Sequence, residues 1–169
     1  MNTYNYAGID VYDINNGKGF GITLFIQGCP HRCKGCHNPQ TWDFNGGRSI
    51  AKDKVFDLIL SLANNDNIVR LTLSGGEPFA NIPICAQIAG AFKMQNPNKS
   101  VWVYSGYTYE ELCELDGANY LLDECDVLVD GPYVHEKRDL SLAFRGSSNQ
   151  RIIDLNKTRE QNKIVLLNI

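Results

Sequence analysis

Nowhere in this sequence do Lys and Arg gather into a run, and its 16 basic residues are outnumbered by 19 acidic ones for a formal charge of -3. That leaves no electrostatic footprint for nucleic acid or an anionic lipid surface, so the expected ligand is a small molecule or another protein. No apolar run approaches the roughly 20 residues of a membrane-spanning helix. The opening MNTYNYAGIDVYDINNGKG has neither the basic start nor the apolar stretch of a signal peptide, and a cytoplasmic protein is expected. Low-complexity segments, a clear internal repeat and any Pro/Gly/Ser linker able to divide the chain are also missing, so residues 1–169 are read as one domain. With 43% hydrophobic residues, a chain of this size can bury a full core without disulfide staples. Its six cysteines, reduced in that compartment, point to metal or catalysis rather than to a disulfide framework.

What the chain does have is alternation. Apolar, β-branched runs occur at residues 20–27 (FGITLFIQ), 68–74 (IVRLTLS), 100–105 (SVWVYS) and 126–130 (DVLVD), each of a length suited to a buried strand. Helical patterns separate them. In AKDKVFDLILSLANN, Val55, Phe56, Ile59, Leu60 and Leu62 recur at roughly helical spacing, with Ser49 as a candidate cap. IPICAQIAGAFKM follows, then TYEELCEL, where Thr108 and Glu111 form a capping box. The βαβαβαβ order predicts an α/β fold with a parallel sheet. Each run leads into a Gly-containing turn carrying polar or ligating residues: GCPHRCKGC, GGEPFAN, GYTYEE and GPYV. Ligands of parallel α/β folds sit at the carboxyl ends of the strands, so these four turns are expected to meet on one rim. Beyond the fourth run only LSLAFR, RIIDL and KIVLLN remain as short strand candidates, too little for eight βα units. The expected fold is a shortened, partly open (β/α) barrel.

Residues 28–39, GCPHRCKGCHNP, place Cys29, His31, Cys33, Cys36 and His37 within nine positions. A structural zinc site can be built as Cys3His, but a second C-x-x-C is absent and such fingers seldom sit inside an α/β core. A c-type haem site at CKGCH needs export and leaves Cys29 unexplained, and a thioredoxin-like reading also leaves it idle. Iron–sulfur chemistry accounts for all three cysteines, with thiolates on three irons of a [4Fe–4S] cube and the fourth iron open to a ligand. Cys85, Cys113 and Cys125 lie scattered in apolar or helical patterns and are expected to pack the core. GKGFG (17–21) precedes its strand instead of following one, and reads as a turn rather than a dinucleotide loop.

Together with SGGEP (74–78), the triplet resembles the paired motifs of radical S-adenosylmethionine enzymes. The likeness continues through NNGKGFGITLFIQGCPHRCKGCHNPQTWDFNGG, VYSGYTYEEL, DVLVDGPYV and LAFRGSSNQRIID. In that combination, over nearly its whole length, the chain resembles the activating enzymes of anaerobic (class III) ribonucleotide reductases. The resemblance implies a barrel of the radical SAM type and, as cofactors, a [4Fe–4S] cluster, S-adenosyl-L-methionine and a monovalent cation. It implies reductive cleavage of S-adenosylmethionine to a 5′-deoxyadenosyl radical, which takes hydrogen from a glycine of the reductase. The implied partners are the glycyl-radical subunit of that reductase and an electron donor such as flavodoxin or ferredoxin, with no nucleic acid and no membrane.

By the same resemblance, Cys29, Cys33 and Cys36 are the cluster ligands, and Gly75, Gly76 and Glu77 receive the methionine end of the cofactor. His37, Asn38, Ser105 and Asp130 are implied to lie near the cofactor, with Asp130 near either cofactor or cation. Many relatives carry an aromatic residue just before the third cysteine; here it is Gly35, and His37 is the candidate for stacking on adenine. Arg145, Asn149 and Gln150, with Ser147 in the same RGSSNQR segment, are implied to contact the partner, and no catalytic residue is assigned beyond the cluster. The alternatives are an activating enzyme for a different glycyl-radical enzyme, of the pyruvate formate-lyase type, a radical enzyme acting on a small metabolite, and a non-enzymatic zinc or electron-carrier module.

Overall fold

The computed structural model, which describes residues 2–169, is built on one seven-stranded sheet. Its middle is the expected parallel set: β2 (Gly21–Ile26), β4 (Arg70–Gly75), β5 (Ser100–Tyr104) and β6 (Val127–Asp130), side by side in chain order. Between them run α1 (Lys52–Ala63), α2 (Ile82–Gln95), and the short α3 (Tyr109–Glu114) and α4 (Ala118–Leu122). The sheet is wider than the sequence pattern indicates. β1 (Thr3–Asp13) pairs antiparallel with β2 and carries β3 (Arg48–Ala51) on its far side, while β7 (Arg151–Asp154) pairs antiparallel with β6 and leads into α5 (Leu155–Gln161). The resulting order, β3-β1-β2-β4-β5-β6-β7, leaves the two edge strands unpaired with each other, so the α/β architecture is an open sheet.

Each parallel strand alternates between two buried faces, as period-two geometry requires. On one face Ile22, Leu24, Leu71, Leu73, Val101, Val103 and Leu128 meet the helices, which bury Val55, Ile59 and Ala63 of α1 and Ile88, Ala89 and Phe92 of α2 at helical spacing. The register puts Thr23, Thr72, Trp102 and Val127 together on the other face, with Arg70, Tyr104 and Val129 beside them. This second face is closed by the connection from β1 to β2 and by the segment before β7. Trp102, Val127, Val129 and Ile152 form its apolar part, packed by Phe144 and Leu167.

Three local expectations need correction. Ser49 does not cap α1; it lies in β3, where pairing with Asn5 of β1 claims it, and Ala51 begins the helix without a side-chain cap. LSLAFR forms turns rather than a strand, because Phe144, at φ 56, turns the chain down onto Trp102. KIVLLN contributes only a bridge from Leu166 to Ile153. The capping box of α3 is present as read, with Thr108 accepting from the Glu111 N–H and Glu111 accepting from the Thr108 N–H at 2.7 Å.

Candidate functional site

The turns after β2, β4, β5 and β6 do converge on one rim, and a single buried carboxylate ties three of them together. Glu77, 0% exposed, follows β4. Its Oε1 accepts from the Phe79 N–H at 3.0 Å and from Ser105 Oγ at 3.0 Å. Its Oε2 lies 2.7 Å from His31 Nε2 in the cysteine loop and accepts from the Gly106 N–H at 2.8 Å in the turn after β5. His31 also sets its ring edge against Tyr107, with centroids 4.4 Å apart. The fourth turn joins through the Gly131 N–H, which donates to the Tyr107 carbonyl at 2.9 Å.

Backbone contacts seat the cysteine loop on the GGEP turn. Gly76 and Glu77 donate their N–H groups to the carbonyls of Ile26 and Gly28 at 2.8 and 2.9 Å. A Cβ on Gly76 would stand 2.4 Å from the Gly28 oxygen, and one on Gly75, at φ +92, would meet the β2 backbone at 2.7 Å. Both glycines are therefore required by the close approach of the two turns. Further along, Gln27 holds the end of the loop by donating to the carbonyls of Gln40 and Asp43 at 3.0 and 2.6 Å.

Cys29, Cys33 and Cys36 are all half-buried on this loop. Burial pushes the Cys29 thiol up, the nearby Glu77 and Cys33 add to the rise, and the His31 and Arg32 N–H groups oppose it. Cys36 Sγ accepts from the Asn38 N–H at 3.3 Å. Beside Cys36, His37 and Asn38 opens a groove of about 790 Å³ across the second face of the sheet, with Tyr104, Tyr133 and Phe144 in its walls. His37 meets Tyr133 edge to face at a centroid separation of 5.7 Å.

Comparison with known proteins bears on what this loop holds. Residues 15–153 match the family described as a 4Fe-4S single cluster domain. The anaerobic ribonucleoside-triphosphate reductase-activating protein of Vibrio cholerae is 40% identical over 156 residues, 90% of this chain and 97% of the relative. Its namesakes in Escherichia coli K12 and in enterobacteria phage T4 are 39% and 34% identical, across 89% and 88% of this chain and 96% and 92% of their own lengths. The chain belongs to the anaerobic ribonucleoside-triphosphate reductase-activating protein family.

The thiols of this reductase-activating family member suit the cluster its family description names. A cube takes one thiolate per iron and so wants ligands set apart around a loop, whereas zinc wants four closed donors around one ion. Among the described residues no group of three or more His, Cys, Asp or Glu side chains is gathered around a single metal-ion position. Nor is a fourth cysteine at hand. Cys85 and Cys125 are buried in the core as expected, and desolvation pushes both thiols up, whereas Cys113, also expected there, is exposed on the outer face of α3.

The remaining residues named from the sequence fall into two groups. His37 and Asn38 line the groove. Ser105 and Asp130 are instead committed to the protein: Ser105 donates to Glu77, and Asp130 accepts from both Arg151 Nε, at 3.0 Å, and the Tyr109 N–H, at 2.7 Å. Glu77 likewise has its acceptor positions filled by protein donors. In the RGSSNQR segment, Gln150 accepts from the Gly146 and Ser147 N–H groups and donates to the Gly131 carbonyl, and Asn149 donates to Pro132 O at 2.8 Å. Arg145 donates to Gln150 O at 3.1 Å while still lining the groove. This segment thus fastens the end of the chain to the turn after β6. Sequence reading passed over His31 except as a zinc ligand, and passed over Gln27, Tyr104 and Arg151. His31 was legible as a polar residue inside the triplet and Arg151 as the end of RGSSNQR, whereas Gln27 and Tyr104 lay within strand patterns.

Proposed function

We propose that this protein installs a glycyl radical on an anaerobic ribonucleotide reductase, with Cys29, Cys33 and Cys36 holding a [4Fe–4S] cluster. The observation that carries the reading is the groove that begins at Cys36 and runs over the second face of the sheet. When bound, the cluster and S-adenosylmethionine supply an adenosyl radical able to remove a glycine Cα hydrogen. The chain's own work is to bind, orient and shield, since such cofactors carry the hard chemistry.

In this reading His37 and Asn38 meet the cofactor where they line the groove, and the His37–Tyr133 pair gives adenine an aromatic surface in place of the side chain that Gly35 lacks. A Cβ at Gly35 would lie 2.5 Å from the His135 ring, so the missing side chain makes room for the turn after β6. Gly75, Gly76, Glu77 and Ser105 shape the rim, and Glu77 fixes the cysteine loop through His31. The open sheet order supports reading the fold as a shortened, open relative of the radical SAM barrel, accessible to a protein substrate. Reconstituted without oxygen, the protein should bind close to four irons, and S-adenosylmethionine should change the electron paramagnetic resonance spectrum of the reduced cluster. Stoichiometric zinc with no iron would overturn the reading.

A further inference from the structure

Two segments that the cluster chemistry does not use form the lips of the groove, and both are fixed from beneath. One is the connection from β1 to β2. Arg70, fully buried, donates to Asp13 O at 2.7 Å and to Asn16 O at 2.9 Å, and Thr72 Oγ1 also donates to Asn16 O at 2.9 Å. Asp13 in turn accepts from Thr23 Oγ1 at 2.6 Å and from the Asn15 N–H at 2.8 Å. The other lip is the segment before β7, where Phe144 packs on Trp102 at a centroid separation of 5.5 Å and its carbonyl accepts from Tyr104 OH at 2.7 Å.

These anchored backbones hold two large aliphatic side chains out at the groove mouth: Ile14, 59% exposed, and Leu140, 81% exposed. Neither belongs to a core cluster of the fold. Ile14 directly follows the anchored Asp13, and Leu140 lies between the Arg138–Ser147 bridge and the Phe144 anchor, so covering either gains apolar burial with part of the backbone ordering already in place. Asn15 beside Ile14 adds an amide suited to a peptide backbone, whereas the Asn16 amide donates to Asp13 and the Gln150 amide is engaged by Gly131, Gly146 and Ser147. Pockets for one small ligand span roughly 300–1,000 Å³. At about 790 Å³ the groove lies in the upper part of that range.

We propose that Ile14 and Leu140 are the apolar lips that clamp the glycine-bearing segment of the reductase, and so determine which protein is activated. This rests on the function proposed above and adds to it the surface and the kind of contact. An apolar pair with the Asn15 amide beside it fits a polypeptide segment better than a free, highly polar metabolite.

The test compares cluster-loaded Ile14→Asp, Leu140→Asp and the double variant with the unaltered protein and with Met94→Asp. Met94 is 86% exposed on α2, away from the groove. Iron content and the spectrum of the reduced cluster verify loading and fold. Binding to the anaerobic reductase and the glycyl radical formed on it, at limiting protein, are the readouts. Each single lip variant should weaken binding about ten-fold, the effect expected of an interface contact worth ~1.4 kcal/mol, and the double variant more. Met94→Asp should match the unaltered protein. Lip variants that bind and activate normally, or a Met94→Asp defect of equal size, would overturn the clamp. If the unaltered protein itself forms no radical on the reductase, the proposed function fails instead.

Discussion

Removing the side chain of Glu77 would leave four protein donors, from His31, Phe79, Ser105 and Gly106, facing a buried space. Unsatisfied buried donors cost ~1–3 kcal/mol each where water cannot reach them. Glu77→Ala is therefore expected to lower stability to urea by about 3 kcal/mol or more, and Glu77→Gln by less, since Gln keeps one acceptor oxygen but turns a donor towards donors. Equal stability of both variants and the unaltered protein would show that the hub carries no energy. The cysteines divide as cleanly. Cys29→Ala, Cys33→Ala and Cys36→Ala should each lose cluster and activity, whereas Cys113→Ala on the outer helix should retain both, measured as iron per chain. The triplet was legible because ligand spacing is local. The hub was not, because the donors that fill Glu77 come from positions up to 46 residues away along the chain.

Among elements, the turn after β4 supports the cysteine loop rather than standing apart from it. Gly76→Ala would press a methyl group against the Gly28 carbonyl, so iron loading should fall although no ligand is altered; normal loading would show that the loop yields freely. A second element-level prediction concerns acid. Burial pushes the Asp126 carboxyl up, but the Asn156 amide, the Val101 N–H at 2.8 Å and Lys93 at 2.9 Å together hold it below the usual carboxylate range. A lowered folded pKa stabilises above the unfolded value of ~3.9 and loses that contribution as pH falls through the folded one. Asp126→Asn should lower stability at pH 7, by about 1–3 kcal/mol, and flatten the loss of stability below pH ~4. An unchanged pH profile would contradict this. The four parallel strands were legible because burial on both faces makes each a continuous apolar run. β7 was legible as the short RIIDL run, whereas β1 and β3 were not: β1 mixes Asn, Asp and Gly with its aromatics and shows register shifts, while β3 is four residues long.

For the whole molecule, the open sheet places the cysteine loop at one rim and the groove across the face left free of helices, so the proposed cluster site is approached along that face. The buried Asp13–Arg70 pair and the Phe144 anchor, neither visible as a motif, decide the shape of that entrance. In the proposed function the radical is delivered to a glycine of another protein. Mixed anaerobically with an anaerobic ribonucleotide reductase, S-adenosylmethionine and a reductant, the cluster-loaded protein should give a doublet glycyl-radical signal in electron paramagnetic resonance, located on the reductase, with 5′-deoxyadenosine formed alongside it. Deoxyadenosine without any protein radical, accompanied by consumption of a free metabolite, would contradict the account.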